Sequence, residues 1–264
     1  MVAELRISCI VPAYERLDQF ARCLSSLVTQ DAEGLEIIVT DDSRSTHIRD
    51  FAHCLAQAGY PVRYVEGPRN GNPVDNWNHG LALARAPYAI VVHQDEFLID
   101  SGFLARAMAR LEETGKQAVF GNMAPIAIDR PSRFAKVKRA ARALGLKPWT
   151  LFVANWIGPI ATVVFRRSSD RLFDARLVNT VDVDFYFALL GPDGDPEFID
   201  GVAVSGLGHH EHQISAAIDR ERVSLRELDS IIRHRSGMKS WQLNLLIGFT
   251  RFRLGLRTFK GDSR

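Results

Sequence analysis

YAIVVHQDE, residues 88–96, carries five apolar residues without a break into a histidine, a glutamine and two adjacent carboxylates. A strand with one wet face alternates, whereas a run apolar at every position is buried on both faces, as in parallel sheets. RISCIVPAY (6–14) and LEIIVTDDS (35–43) have the same form, and the second also ends on adjacent acids, Asp41 and Asp42. PVRYVEG (61–67) and QAVFGNMAPI (117–126) complete a set of five predicted strands. Between the first two, Leu17, Phe20, Leu24, Leu27 and Val28 recur at helical spacing over 17–29. Further helices are predicted over 46–58, stopped by Gly59, over 74–86, stopped by Pro87, and over 101–114. Buried strands separated by single helices predict an α/β fold with a mostly parallel sheet flanked by helices. In such sheets ligands bind outside the carboxyl ends of the strands. Asp41, Asp42, Asp95 and Glu96 are therefore expected on one rim, a self-repelling arrangement that a divalent cation or ligand donors would neutralise.

The chain of 264 residues is 46% hydrophobic, enough for a large core. A net charge of +2 says little, but its distribution says more. Residues 130–147 hold seven basic side chains and no acid, and 231–260 repeat that count. Such runs suit an anionic surface, membrane headgroups or nucleic acid, or else form solvated helical faces. Cys9, Cys23 and Cys54 have no metal-ligand spacing; Cys9 is expected in the core, and this usage fits a reduced, cytosolic protein. Glu4 and Arg6 interrupt the N-terminus before any apolar region forms, which predicts no signal peptide. No stretch reaches the ~18 apolar residues of a spanning helix.

After residue 125 the alternation breaks. A basic helix is expected over 132–146 and strands at ATVVFRR (161–167) and FIDGVAVSGL (198–207). VDVDFYFALL (181–190) opens a helix with acids in its first turn, where the dipole favours them. The tail, 239–259, is helical with an apolar stripe at Trp241, Leu245, Phe249, Phe252, Leu256 and Phe259. Leu243, Leu246, Ile247 and Leu254 fall off that stripe, so packing against protein, a second subunit included, explains the tail more easily than a clean interfacial helix.

The ordered set CIVPAYERLDQFARCLSSLVTQ, EIIVTDDSRS, NWNHGLALARAPYAIVVHQDE and VDVDFYFAL resembles the family 2 glycosyltransferases, nucleotide-sugar-dependent enzymes of GT-A fold. The resemblance is close over 5–125 and looser to about 215. It implies a Rossmann-like nucleotide-binding half at 1–125, a mixed acceptor-side half at 126–235 and a basic amphipathic C-terminal helix at 236–264, within one domain. It implies that Pro12, Ala13 and Tyr14 line the base pocket, that Asp42 accepts a hydrogen bond from a pyrimidine ring, and that Asn78 makes a polar contact. Trp77 reads as packing. Asp95 is implied at the ribose or metal, Glu96 and His212 at a Mg²⁺ or Mn²⁺ ion on the diphosphate. The common motif ends in two aspartates and this chain's in Asp-Glu, which leaves ligation by Glu96 the weaker inference. Asp182 aligns with the carboxylate that deprotonates the acceptor in an inverting transfer.

These expectations describe a metal-dependent glycosyltransferase using a UDP- or dTDP-type donor and a glycan or lipid-linked glycan acceptor, in cell-surface polysaccharide synthesis. Its place would be the cytoplasm or the inner face of the membrane. Trp149, Phe152, Asn155 and Trp156 form an aromatic patch suited to stacking on an acceptor sugar or to packing between the two halves. A nucleotidyltransferase would carry a glycine-rich basic loop where VPAYERLDQ has no glycine. A non-catalytic nucleotide-sugar-binding module would keep the pocket without a working base. No nucleic-acid partner is expected, because the basic runs carry no recognised motif.

Overall fold

The computed structural model describes residues 4–125, 144–152, 155–206, 223, 227, 231 and 238–261. The chain divides into two compact units: one of Met1–Arg130, Gly158–Ala175 and Pro196–His210, the other of Pro131–Ile157, Arg176–Asp195 and Glu211–Arg264. The first unit thus takes in two segments, 158–175 and 196–210, from the part of the chain predicted as the acceptor-side half.

The first unit is built on a seven-stranded sheet, order β3-β2-β1-β4-β8-β6-β9. β1 (Ile7–Ala13), β2 (Leu35–Asp41), β3 (Val62–Glu66) and β4 (Tyr88–Val91) run parallel, so their carboxyl ends share one edge. β8 (Val163–Arg166) is antiparallel to both β4 and β6 (Ala118–Phe120), and β9 (Glu197–Phe198) is parallel to β6. Every residue of β1 and β4 is buried, the reason their sequences do not alternate. α1 (Leu17–Val28), α2 (His47–Gln57), α3 (Pro73–Leu83) and α4 (Phe103–Thr114) connect the strands. α1 buries Phe20, Cys23, Leu24 and Leu27 in a core with Cys9, Val11, Ile37, Val39 and Leu104. α3 lies so close to β1 that a Cβ on Gly80 would sit 2.3 Å from Ile10 Cγ2.

Three predicted strands each divide into two. The run 88–96 ends as β4 at Val91, turns through Gln94 and Asp95, and restarts as β5 (Glu96–Leu98). The run 117–126 splits into β6 and β7 (Met123–Pro125). β5 and β7 join β10 (Val204–Gly206) in a separate three-stranded sheet, order β5-β10-β7. The expected strand at 198–207 is likewise divided between β9 and β10.

The second unit contains a 3-10 helix, Pro148–Phe152, α5 (Val181–Leu190) and α6 (Ser240–Gly261). Phe152 packs on Phe187 of α5, ring centroids 5.2 Å apart, and Trp149 meets Trp241 of α6 edge-on at 5.6 Å. Of the aromatic patch predicted as an acceptor platform or as packing between the two halves, Trp149 and Phe152 pack inside their own unit. Gln242 and Leu246 face the protein, whereas Trp241, Leu245, Phe249 and Phe252 are exposed. Residues 126–143, most of the predicted basic helix, and 207–220, including His212, lie outside the described residues.

Candidate active site

The carboxyl edge of β1, β2 and β4 holds Tyr14, Asp42 and Asp95, and backbone and side-chain hydrogen bonds lock the three loops together. The Asp42 N–H donates to the Ala13 carbonyl (3.0 Å), closing the β2 loop on β1. On the other side, Gln94 grips the Tyr14 backbone twice: Tyr14 N–H donates to Oε1 (2.8 Å) and Nε2 donates to the Tyr14 carbonyl (3.0 Å). Pro12 and Ala13 are buried at the end of β1, and Tyr14 is 55% exposed at the rim.

The two acidic pairs each divide their labour. Asp41 is fully buried; it accepts from Ser43 N–H (2.8 Å) and Tyr64 hydroxyl (3.1 Å). Burial first, then the charge of Asp41, push the Tyr64 hydroxyl up to about 12, so it stays a donor. Asp42 is half-buried, and its Oδ1 accepts from Arg69 N–H at 2.8 Å. It is not the cap of α2, whose N-cap position is Thr46. Gly67 lets Asp42 in: a Cβ there would stand 2.2 Å from Asp42 Oδ1. In the second pair, Glu96 is buried and Asp95 half-buried. A turn joins β4 to β5, with Glu96 N–H donating to the His93 carbonyl (2.9 Å) and His93 N–H donating to Glu96 Oε2 (3.2 Å). His93 Nδ1 also stands 3.2 Å from that oxygen, and the imidazole packs on the buried Trp77 with centroids 4.4 Å apart and the rings tilted at 44°. Glu96 thus braces the turn that presents Asp95.

Asn78, expected at the ligand, is spent elsewhere. Its Nδ2 donates to the Phe173 carbonyl and its Oδ1 accepts from Phe173 N–H, both at 2.9 Å. In the second unit, Asp182 is half-buried in the first turn of α5 and Asp184 is 1% exposed. The loop before α5 is anchored by Glu227, which takes N–H donors from Val178 (2.6 Å) and Thr180 (2.9 Å) and the Thr180 hydroxyl (2.8 Å).

Sequence reading missed Glu15, Gln94 and Glu227, whose partners lie 28 to 80 residues away, and Gly67, which meets Asp42 from 25 residues away. Among the described residues no three His, Cys, Asp or Glu side chains gather to hold a metal. A cation that arrives on a diphosphate needs only one or two protein carboxylates, and Glu96 would have to release His93 to serve as one.

Residues 8–167 match the family model described as "Glycosyl transferase family 2". The chain is 32% identical over 123 residues to the GalNAc(5)-diNAcBac-PP-undecaprenol beta-1,3-glucosyltransferase of Campylobacter jejuni, covering 44% of this chain and 38% of that one. It thus spans well under half of that relative's length. Among solved structures, S. aureus TarS 1-349 in complex with UDP-GlcNAc superposes with a TM-score of 0.69 at 16% identity, over 93% of this chain and 71% of that one. The mannosyltransferase PcManGT of Pyrobaculum calidifontis, in complex with GDP-Man and Mn²⁺, gives 0.71 at 17% identity, over 94% and 70%. At those identities the likeness shows the fold, which is of GT-A type.

Proposed function

The chain belongs to glycosyl transferase family 2, and from this we propose that it moves a sugar, with inversion, from a pyrimidine nucleoside diphosphate donor of UDP or dTDP type to a glycan or lipid-linked glycan in cell-surface polysaccharide synthesis. The observation that carries the reading is the meeting of Tyr14, Asp42 and Asp95 on one edge of the sheet, with their loops bonded to each other. The exposed Tyr14 ring gives the base a face to stack on, Asp42 an acceptor for its ring N–H, and Asp95 a carboxylate beside the ribose and diphosphate. A Mg²⁺ or Mn²⁺ ion bound with the diphosphate would offset the charge that develops on the leaving group. Asp95 is the residue assigned to hold it, with Glu96 bracing the turn behind; His212 remains a candidate from sequence.

Asp182 is assigned as the base that takes the acceptor hydroxyl's proton as the oxygen attacks the anomeric carbon opposite the diphosphate. It is preferred to Asp184, whose burial leaves no room for an acceptor. The relative in Campylobacter jejuni is named for an undecaprenol-linked substrate, which supports a lipid-linked acceptor here. Among the described residues no helix is long and apolar enough to cross a membrane. Contact with the inner face of a bilayer would instead fall to the exposed Trp241, Leu245, Phe249 and Phe252 of α6, with aromatic rings at the interface. Co-sedimentation with anionic vesicles tests that contact, and its absence would remove it.

The test of the chemistry is Asp182→Asn. It should bind nucleoside diphosphate as the wild type does and lose turnover by about 10²–10⁴-fold, the usual worth of a general base. Undiminished turnover would remove Asp182 from the reaction.

A further inference from the structure

Glu15 is the least comfortable residue on the rim and among the best connected. Its φ is +57°, and only Arg69, at +51°, shares the left-handed region among the described residues other than glycine. Side chains with a Cβ are strained there and hold the conformation only when their surroundings impose it. Both residues stand beside Asp42: Arg69 donates its N–H to that carboxylate, and Glu15 is bonded to the loop that Asp42 begins. The Glu15 N–H donates to Ser43 Oγ at 2.7 Å. In return, Glu15 Oε1 accepts the N–H groups of Arg44 (2.6 Å) and Ser45 (3.3 Å). The Arg44 N–H and its neighbours hold the Glu15 carboxyl below the ordinary range, so it is charged at neutral pH. Those donors lie just ahead of α2, whose own N-cap residue, Thr46, supplies no side-chain cap. A carboxylate from the β1 loop thus fixes the stretch of the β2 loop that leads into α2.

We propose that Glu15 is a positioning residue for the nucleotide base: it ties the loop bearing Asp42 to the loop bearing Tyr14, so that ring and carboxylate stand in one fixed relation before any ligand arrives. A glycine would take the same backbone without strain and could not make the tie. The proposal rests on the nucleotide reading of this rim. Its energetic content is preorganisation, in which affinity comes from ordering done in advance of binding.

Three variants separate the tie from the strain. Glu15→Gln keeps an Oε1 acceptor, Glu15→Asn tolerates the left-handed backbone but stops short of Arg44, and Glu15→Gly relieves the strain with no side chain. Calorimetric titration of UDP and, separately, of inorganic pyrophosphate with Mn²⁺ reads base and phosphate binding apart, with a melting curve on each sample. We expect Asn and Gly to weaken UDP ~10-fold, to leave pyrophosphate unchanged and to melt close to the wild type, and Gln to stay within about threefold. UDP binding by Asn and Gly equal to the wild type, or an equal loss of pyrophosphate, overturns the proposal. Should Asn and Gly fail to fold, Ser43→Ala removes the other bond of the tie and carries the same expectation. A wild type that binds no nucleoside diphosphate removes the function reading itself, a result distinct from variants that bind as well as it does.

Discussion

Asp41 and Asp42 are neighbours in sequence with opposite duties. Asp41 is sealed in the core and satisfies Ser43 N–H and the Tyr64 hydroxyl; Asp42 stands half-buried at the rim. Removing Asp41 leaves the buried Ser43 N–H without its acceptor, at about 1–3 kcal/mol, and takes a partner from the half-buried Tyr64 hydroxyl. Asp41→Ala should therefore lower the melting temperature. Asp42→Ala should leave melting nearly unchanged and abolish most pyrimidine nucleotide affinity. Equal effects of the two on stability and binding would contradict this division. The pair could be located from LEIIVTDDS, because acids after an apolar run mark a strand end. Which acid faces the ligand depends on Tyr64, a residue 23 positions away, and on Gly67. The same holds for Glu96, whose bond to His93 appears only once β4 is seen to turn.

Among the elements, α3 and α5 carry the clearest consequences. Gly80 is the point where α3 touches β1, and its missing Cβ is what permits the approach to Ile10. Gly80→Ala should cost about 1–3 kcal/mol by overpacking, even though alanine is the better helix former, and a melting curve decides the sign. Glu227 holds the backbone donors ahead of α5. Glu227→Ala should lower stability by about 3 kcal/mol, read as a drop of ~10 °C. It should also reduce turnover through Asp182 while leaving nucleotide affinity as in the wild type. Unchanged turnover would separate the anchor from the chemistry. The strands and helices through Thr114 were legible because aliphatic runs and 3.6-residue spacing are local signals. The divisions at 88–98, 117–126 and 197–206 were not, since periodicity cannot tell one strand from two short ones that join different sheets. The anchor at Glu227 was equally invisible, because its partners are backbone N–H groups that no residue type advertises.

At the scale of the whole molecule, acid should unfold the protein through carboxylates bonded in its folded state. Burial acts to raise Glu36, but the Ser8 hydroxyl and the N–H and guanidinium of Arg85 outweigh it and hold the group below its ordinary value of 4.5. Glu197 is lowered in the same way: burial opposes, and Lys116 and Arg110 prevail. A lowered folded pKa gives stability that is complete above the ordinary value and is lost as pH falls through the folded one. The melting temperature should thus be flat from neutral pH down to about 5 and fall below it. Glu36→Gln should melt lower at neutral pH and decline less steeply in acid. The central claim is that the edge formed by β1, β2 and β4 binds a pyrimidine nucleoside diphosphate. Calorimetric titration with UDP and dTDP, each with and without Mn²⁺, tests it most directly. The account predicts saturable binding of at least one of them, tightened by Mn²⁺ and lost in Asp42→Ala; no binding by either, or binding indifferent to Asp42, would contradict it.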